Sequence, residues 1–383
     1  MSATLAGRLI LPDRIVGGSL RITDGRIAAI YPGPLTGPYL APGYVDLHVH
    51  GGAGADFMDG TPEAFTTVCR AHARHGTTAL LATSTVGTHQ QILRFLETCR
   101  AMLHLATGGA VVCGAHFYGP HFAENARGCH PAGPVRPPLE PEYKNYLRYA
   151  DVIRTATLAP ELPGAEAFAR ACAAVGIRLN LGHSHATWPQ VEAALQWGAR
   201  HVDHLFCAMS DRARLRQTQT YPMRGGLLEA TLFFDELTTE VIADGKHLAP
   251  ELLRLAYKIK GPDRLALVSD ANRALDMPDG PYLFGPSEGG EPIVRRDGVG
   301  LMAEGGALAS GVMGLDHAVR TMREATAAPL HEVIRMASLT PARLAGLQAE
   351  RGSLEVGKRA DVLVLDEQLQ LHEVWLAGER LLD

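Results

Sequence analysis

Between about residues 43 and 345 the chain alternates short apolar runs with amphipathic stretches, and this alternation limits the possible folds more than any other feature. Strands that alternate with helices pair in parallel, because each helix returns the chain to the same end of the sheet. Eight runs have strand character: 44–47, 78–82, 111–117, 152–158, 178–182, 201–205, 239–243 and 265–269. Helix signals occupy the gaps. Thr61-Pro62 supplies a cap and a first-turn proline, and Gly76 closes that segment. Thr187-Trp-Pro-Gln190 reads as a capping box, with Gly198 ending its helix. The predicted architecture is α/β, a TIM-like (β/α)8 barrel, whose functional groups gather at the C-terminal ends of the strands.

The two ends of the chain differ from this middle. Ser19 to Ile30 places apolar residues on either side of Asp24-Gly25, a strong hairpin signal. Gly357 to Asp366 and Leu371 to Gly378 are strand-like runs bounded by glycine and charge. Neither end is long enough to bury a core by itself. The economical arrangement is one small β-sandwich domain built from residues 1–42 and 346–383, with the barrel of 43–345 inserted between them. Three Pro-, Gly- or Arg-rich stretches, 123–143, 207–228 and 279–311, are expected as long loops over the top of the barrel.

Composition excludes several function classes. A net charge of −5 leaves no basic footprint for nucleic acid. Cys69, Cys99, Cys113, Cys129, Cys172 and Cys207 form no C-x-x-C pair, which argues for reduced thiols. Arg8, Asp13 and Arg14 interrupt any apolar leader. No apolar stretch approaches the roughly 18–20 residues that span a bilayer. The expectation is a soluble cytoplasmic protein.

The polar residues that matter fall at the predicted strand ends. In Asp46-Leu-His-Val-His50 the two histidines are spaced i, i+2, so on a strand both imidazoles project from one face. His116 and Tyr118 end the third strand, His183 the fifth, His204 the sixth and Asp270 the eighth. Imidazoles with an open coordination position, plus a carboxylate, are what metal-assisted hydrolysis needs. The carboxylate takes a proton from the attacking water and returns it to the leaving group.

With these residues in view, the chain resembles the amidohydrolase superfamily, and more narrowly the N-acetylglucosamine-6-phosphate deacetylase family. The strings that carry the likeness are Gly114-Ala-His-Phe-Tyr-Gly-Pro-His121, Thr157-Leu-Ala-Pro-Glu161, Gly182-His-Ser-His-Ala-Thr187 and Asp203-His-Leu-Phe-Cys-Ala-Met209. Ile242-Ala-Asp-Gly-Lys-His247, Val268-Ser-Asp-Ala271, Thr340-Pro-Ala-Arg343 and Gly352 to Asp366 follow in the family's order. The resemblance implies a metal-dependent hydrolase that removes the acetyl group from an N-acetyl amino sugar, a step of amino sugar metabolism. N-acetylglucosamine 6-phosphate is its expected substrate. It implies His183 and His204 as metal ligands beside His48 and His50, and Asp270 as both ligand and general acid/base. His130 would contact the reacting carbonyl. Cys207, Ala208, His247 and Leu308 would border the substrate, and Arg224 would bind phosphate. Arg212, Arg214 and Arg216 are further candidates from the same loop. A homodimer is the assembly the resemblance implies.

Four departures qualify the substrate, one of them the run Asn272-Arg-Ala-Leu-Asp276 after the eighth strand. Tyr118 stands where the family has a glutamate ligand, and Cys207 where it has asparagine. Leu308-Ala-Ser-Gly311 replaces the family's Leu-x-Gly-Ser. The alternatives are therefore a related hydrolase acting on another amide, a cyclic amide or a lactone, and a barrel that binds without catalysis. A tyrosine with a pKa near 10 is a poor ligand at neutral pH. The expected cofactor is a divalent metal, zinc first, as one tightly bound ion held by His48, His50, His183 and Asp270. His204 would then be a weak ligand or a substrate-orienting group, and the Tyr118 phenol would reach the scissile carbonyl.

Overall fold

The structure is a computed structural model that describes residues 2–218 and 221–381. Gln219 and Thr220 of the 207–228 stretch, and the last two residues of 346–383, lie outside the described residues.

The eight apolar runs form one parallel sheet in chain order: Tyr44–Val49, Thr77–Thr83, Val111–Tyr118, Ile153–Leu158, Arg178–Leu181, Ala199–Val202, Thr238–Ile242 and Leu265–Val268. Every residue of the first three is buried, as expected for strands covered on both faces. The ring closes just beyond the strand ends. There the Asp270 N–H donates to the His48 carbonyl at 2.9 Å, and Ala271 bridges Val49. The sixth strand begins and ends earlier than expected. Its predicted end, Asp203 to Leu205, leaves the sheet because His204 adopts a positive φ of 26°, which no strand continues through.

Outside the sheet, the helix Pro62–Ala73 starts where Thr61 caps Ala64 N–H, and it buries Phe65, Val68, Cys69 and His72 at helical spacing. The helix Trp188–Gln196 begins with the Thr187–Gln190 box. Val45, Leu47, Ala79, Leu81, Val111, Cys113, Ala266 and Val268 form an apolar cluster with Ala342 and Ala345. The fourth to seventh strands and their ends contribute buried polar groups instead: Thr157, Asn180, His201, Asp203 and Glu240.

The chain ends share one seven-stranded sheet, in the order Glu379–Arg380, Leu371–Leu376, Val362–Leu365, Tyr39–Pro42, Ser2–Ile10, Ile15–Thr23 and Arg26–Pro32. N- and C-terminal segments meet where Val362–Leu365 runs antiparallel to Tyr39–Pro42. Asp24 and Gly25 turn the hairpin at φ 49° and 75°. Leu9, Leu20, Ile22, Ile27, Leu40 and Val362 form the core of this unit.

The expectation of a loop over 279–311 is corrected. The stretch holds a three-stranded antiparallel sheet, Gly280–Phe284, Glu291–Arg296 and Val299–Met302. Its second hairpin turns at Asp297 and Gly298, with φ of 53° and 70°. Charged residues at Glu291, Arg295 and Arg296 hide the alternation, but Phe284 and Ile293 are buried beside Cys129 and supply the missing apolar contact. The 123–143 stretch also carries the start of a helix, Glu140–Tyr146. All six cysteines are free. No helix among the described residues is long and apolar enough to cross a membrane.

Candidate active site

The chain leaves three of the barrel strands in the same way. His183, His204 and Asp270 each lie two residues past a strand end, with φ of 47°, 26° and 45°. Left-handed backbone at a non-glycine residue costs on the order of 1–3 kcal/mol and recurs at functional sites. Here it takes the chain off the strand direction at the rim while the side chain still lines the central cavity. At Gly128 a Cβ would stand 3.2 Å from His183 Cε1, and the φ of 60° also favours glycine there.

His48 and His50 are 0 % and 1 % exposed. Asp270 Oδ1 lies 3.5 Å from His48 Nε2 and 3.2 Å from His50 Nε2. Ligand atoms held at about 2.0–2.1 Å around a tetrahedral ion stand roughly 3.3–3.4 Å apart. His48, His50 and Asp270 therefore have the spacing of ligands to one ion, and they form one of the two clusters able to hold a metal among the described residues. His48 Nε2 is buried with no hydrogen-bond partner among the described residues, while its Nδ1 meets Glu240 Oε1 at 2.6 Å. An unpartnered buried nitrogen beside a carboxylate fits a divalent ion, so this donor set passes the test for a metal.

The other histidines form a second group. His183 Nδ1 donates to the Ala126 carbonyl at 2.7 Å, since a carbonyl only accepts. Its Nε2 therefore carries the lone pair and stands 3.2 Å from His204 Nε2. Tyr118 Oη contacts His204 Nε2 at 2.5 Å, a hydrogen-bond distance too short for two ligands of a common ion. His130 Nδ1 accepts from the Val86 N–H at 3.2 Å, so its Nε2 carries the ring proton.

Charge follows the same division. Burial opposes the Asp270 carboxylate, but His48 and His50 outweigh it and hold the carboxyl far below its ordinary range. Burial drives His183 and His130 far down and His204 down to about 4, so all three are neutral imidazoles. Burial raises Tyr118 well above the usual phenol value, so it is a neutral phenol.

These groups border a cavity of about 200 Å3 whose lining includes His50, Tyr118, His130, His183, His204 and Asp270. Cys207, Ala208, His247 and Leu308 line it as well. His247 is held by Asp244, whose Oδ2 accepts from its Nδ1 at 2.8 Å. Arg224 is not brought to this group: it is exposed and absent from the described cavity lining. His116 is buried deeper, against Thr157 Oγ1 at 2.8 Å. Sequence reasoning missed Phe284, Cys129, Ile242 and Ser310 in the lining, and Glu240 behind His48. The signal for Glu240 was a carboxylate inside an otherwise uncharged strand, which demands a partner.

Comparison with known proteins places these features. Residues 39–381 match the Amidohydrolase family. The N-acetylgalactosamine-6-phosphate deacetylase of Escherichia coli O157:H7 is 35% identical over 387 residues, covering 99% of each chain. The N-acetylglucosamine-6-phosphate deacetylase of Vibrio furnissii is 34% identical, over 91% of this chain and 84% of its own. Among solved structures, an aspartate-to-alanine mutant of N-acetyl-D-glucosamine-6-phosphate deacetylase from Mycobacterium smegmatis, in complex with N-acetyl-D-glucosamine-6-phosphate, superposes with a TM-score of 0.91. It is 28% identical and covers 100% of both chains. The chain belongs to the amidohydrolase family and, within it, to the N-acetylglucosamine-6-phosphate deacetylase family.

Proposed function

We propose that this protein hydrolyses the acetamido group of an N-acetylhexosamine 6-phosphate, releasing acetate and the free amino sugar. The observation that carries the reading is the convergence of His48, His50 and Asp270 at ligand spacing, with His50 and Asp270 on the wall of the rim cavity, in a chain related over its whole length to such deacetylases. His48, His50 and Asp270 would hold one divalent ion, zinc first, with His183 as the fourth ligand through its free Nε2. When bound, the ion polarises the acetyl carbonyl and makes water a stronger nucleophile.

The remaining chemistry belongs to side chains. Asp270, ionised at all ordinary pH, accepts a proton from the attacking water at a carboxylate oxygen. It then delivers that proton to the departing nitrogen as the C–N bond breaks. His130, neutral and protonated on Nε2, donates a hydrogen bond to the oxyanion that develops on the carbonyl. Tyr118 holds His204 through their hydrogen bond, and as a neutral phenol it supplies no anionic ligand for a second ion. Cys207, Ala208, His247 and Leu308 border the sugar.

One observation favours a second reading. The described cavity lining holds no arginine or lysine, which suits a neutral amide, cyclic amide or lactone. Acetate release by the zinc-loaded protein should be measured from N-acetylglucosamine 6-phosphate, N-acetylgalactosamine 6-phosphate and the two unphosphorylated sugars. Release from a phosphorylated sugar supports the main reading. Release from an unphosphorylated sugar alone moves the substrate to the neutral class, and release from none of the four refutes deacetylation.

A further inference from the structure

The two histidines at the end of the first strand are held differently. Among the described residues His50 Nδ1 has no hydrogen-bond partner, whereas His48 Nδ1 sits 2.6 Å from Glu240 Oε1 on the seventh strand. Glu240 is 1 % exposed, and its second oxygen meets His201 Nε2 at 3.2 Å. His201 Nδ1 in turn meets Thr238 Oγ1 at 2.8 Å, and that hydroxyl donates to the Arg200 carbonyl at 2.9 Å. A line of side chains thus runs along the barrel from Thr238, at the start of its strand, to the rim.

A carboxylate can only accept, so the proton of the His48 ring must sit on Nδ1. When a metal ion takes the place of the second ring proton, the Nε2 lone pair is aimed at the space it shares with His50 and Asp270. Without Glu240 the ring could carry its proton on either nitrogen and turn about χ2, and both changes remove the lone pair from that space.

The cluster His201, Asp203 and Glu240 also has metal-ligand spacing, but its oxygens are already occupied. Asp203 accepts from Thr157 Oγ1 at 2.6 Å and Asn180 Nδ2 at 2.8 Å, and Glu240 serves two histidines. These bonds describe a support for the site above.

We propose that Glu240, itself oriented by His201, is a positioning residue that fixes the tautomer and direction of His48 and thereby sets the metal affinity of this protein. The proposal rests on the reading of His48, His50 and Asp270 as metal ligands. Outer-shell partners of this kind typically change metal affinity by about 10–100-fold.

The test uses the full-length protein stripped of metal and titrated with zinc against a chromophoric chelator at fixed pH. Glu240→Gln, which keeps the side chain's shape, should weaken zinc binding at least tenfold while the metal-free protein melts as the wild type does. His201→Gln should weaken it by a smaller factor, because the Glu240–His48 contact survives. Zinc affinity of Glu240→Gln within a few-fold of wild type overturns the proposal. So does a metal-free Glu240→Gln that already melts well below wild type, since that assigns Glu240 to the scaffold. A wild type that binds no divalent ion refutes the metal reading and this proposal together. Tight zinc binding without acetate release refutes only the substrate reading, and leaves the Glu240 comparison decisive.

Discussion

The site has two halves, and their histidines are supported in opposite ways. His48 stands between two carboxylates, Glu240 behind it and Asp270 before it, with His50 sharing Asp270. His183 and His204 have a backbone carbonyl and a phenol instead, and among the described residues no carboxylate lies within hydrogen-bond reach of either. All four rings are buried. The carboxylates raise His48 against the opposing effect of burial, to about 9, while burial dominates the other half and leaves neutral rings. The His183 and His204 Nε2 atoms stand 3.2 Å apart, a spacing close to that between His50 and Asp270. Anionic charge is what separates the two halves: carboxylates bond the first half directly, whereas the second half is bonded by a carbonyl and a phenol.

The largest effect should come from removing the charge the first half depends on. Asp270→Asn is expected to lower kcat for acetate release by about 10^2–10^4-fold, the range of a lost general acid/base. Activity within tenfold of wild type would place the proton transfer elsewhere. Next, the two imidazoles of the second half should be unequal. His183→Asn should weaken zinc retention by roughly 10–100-fold, the scale of an impaired metal shell, while His204→Asn changes it only a few-fold. Equal losses in chelator competition would show that both rings ligate. Tyr118→Glu supplies the second half with the charge it lacks, so metal analysis should read one equivalent in wild type and an approach to two in the variant. Two tight equivalents in the wild type would contradict the division.

The smallest effect sharpens the same contrast away from the site. His75 bridges Asp276 and Asp316, each at 2.9 Å, and so ties the chain after the eighth strand to the helix Leu315–Thr326. Burial opposes its charge, but the two carboxylates outweigh it and raise the pKa from 6.5 to about 9. A raised histidine stabilises the fold fully below its unfolded value, and the contribution disappears as pH rises through its folded value. His75→Gln should therefore cost about 2 kcal/mol near pH 6, with the difference from wild type vanishing by about pH 10 in denaturant titrations. A pH-independent difference would mean that packing, not charge, is what His75 supplies.

Much of this molecule was legible from residue order. The barrel strands could be read because parallel strands buried on both faces must be apolar runs, and Asp24-Gly25 announced its hairpin through two positive φ angles. The Gly280–Met302 sheet went unread although Asp297-Gly298 carries the same signal. Its strands are short, the middle one carries Glu291, Arg295 and Arg296, and Phe284 and Ile293 are buried against Cys129 and Ala309. His48, His50, His183, His204 and Asp270 were legible as a set because strand ends collect at one rim of a barrel. Arg224 was not: sequence proximity to the rim loop says nothing about whether a long side chain turns inward or out to solvent.

What the sequence alone determined is therefore the order of elements and the inventory of donors at the rim, since both follow from periodicity and chain direction. Tertiary structure decided which donors meet. Asp270 reaches His48 only because the ring closes between strands more than two hundred residues apart in sequence, and Glu240 reaches it across the barrel interior. Hydrogen-bond and metal chemistry act over about 2–4 Å, and no local pattern encodes distances of that size between strands the fold brings together.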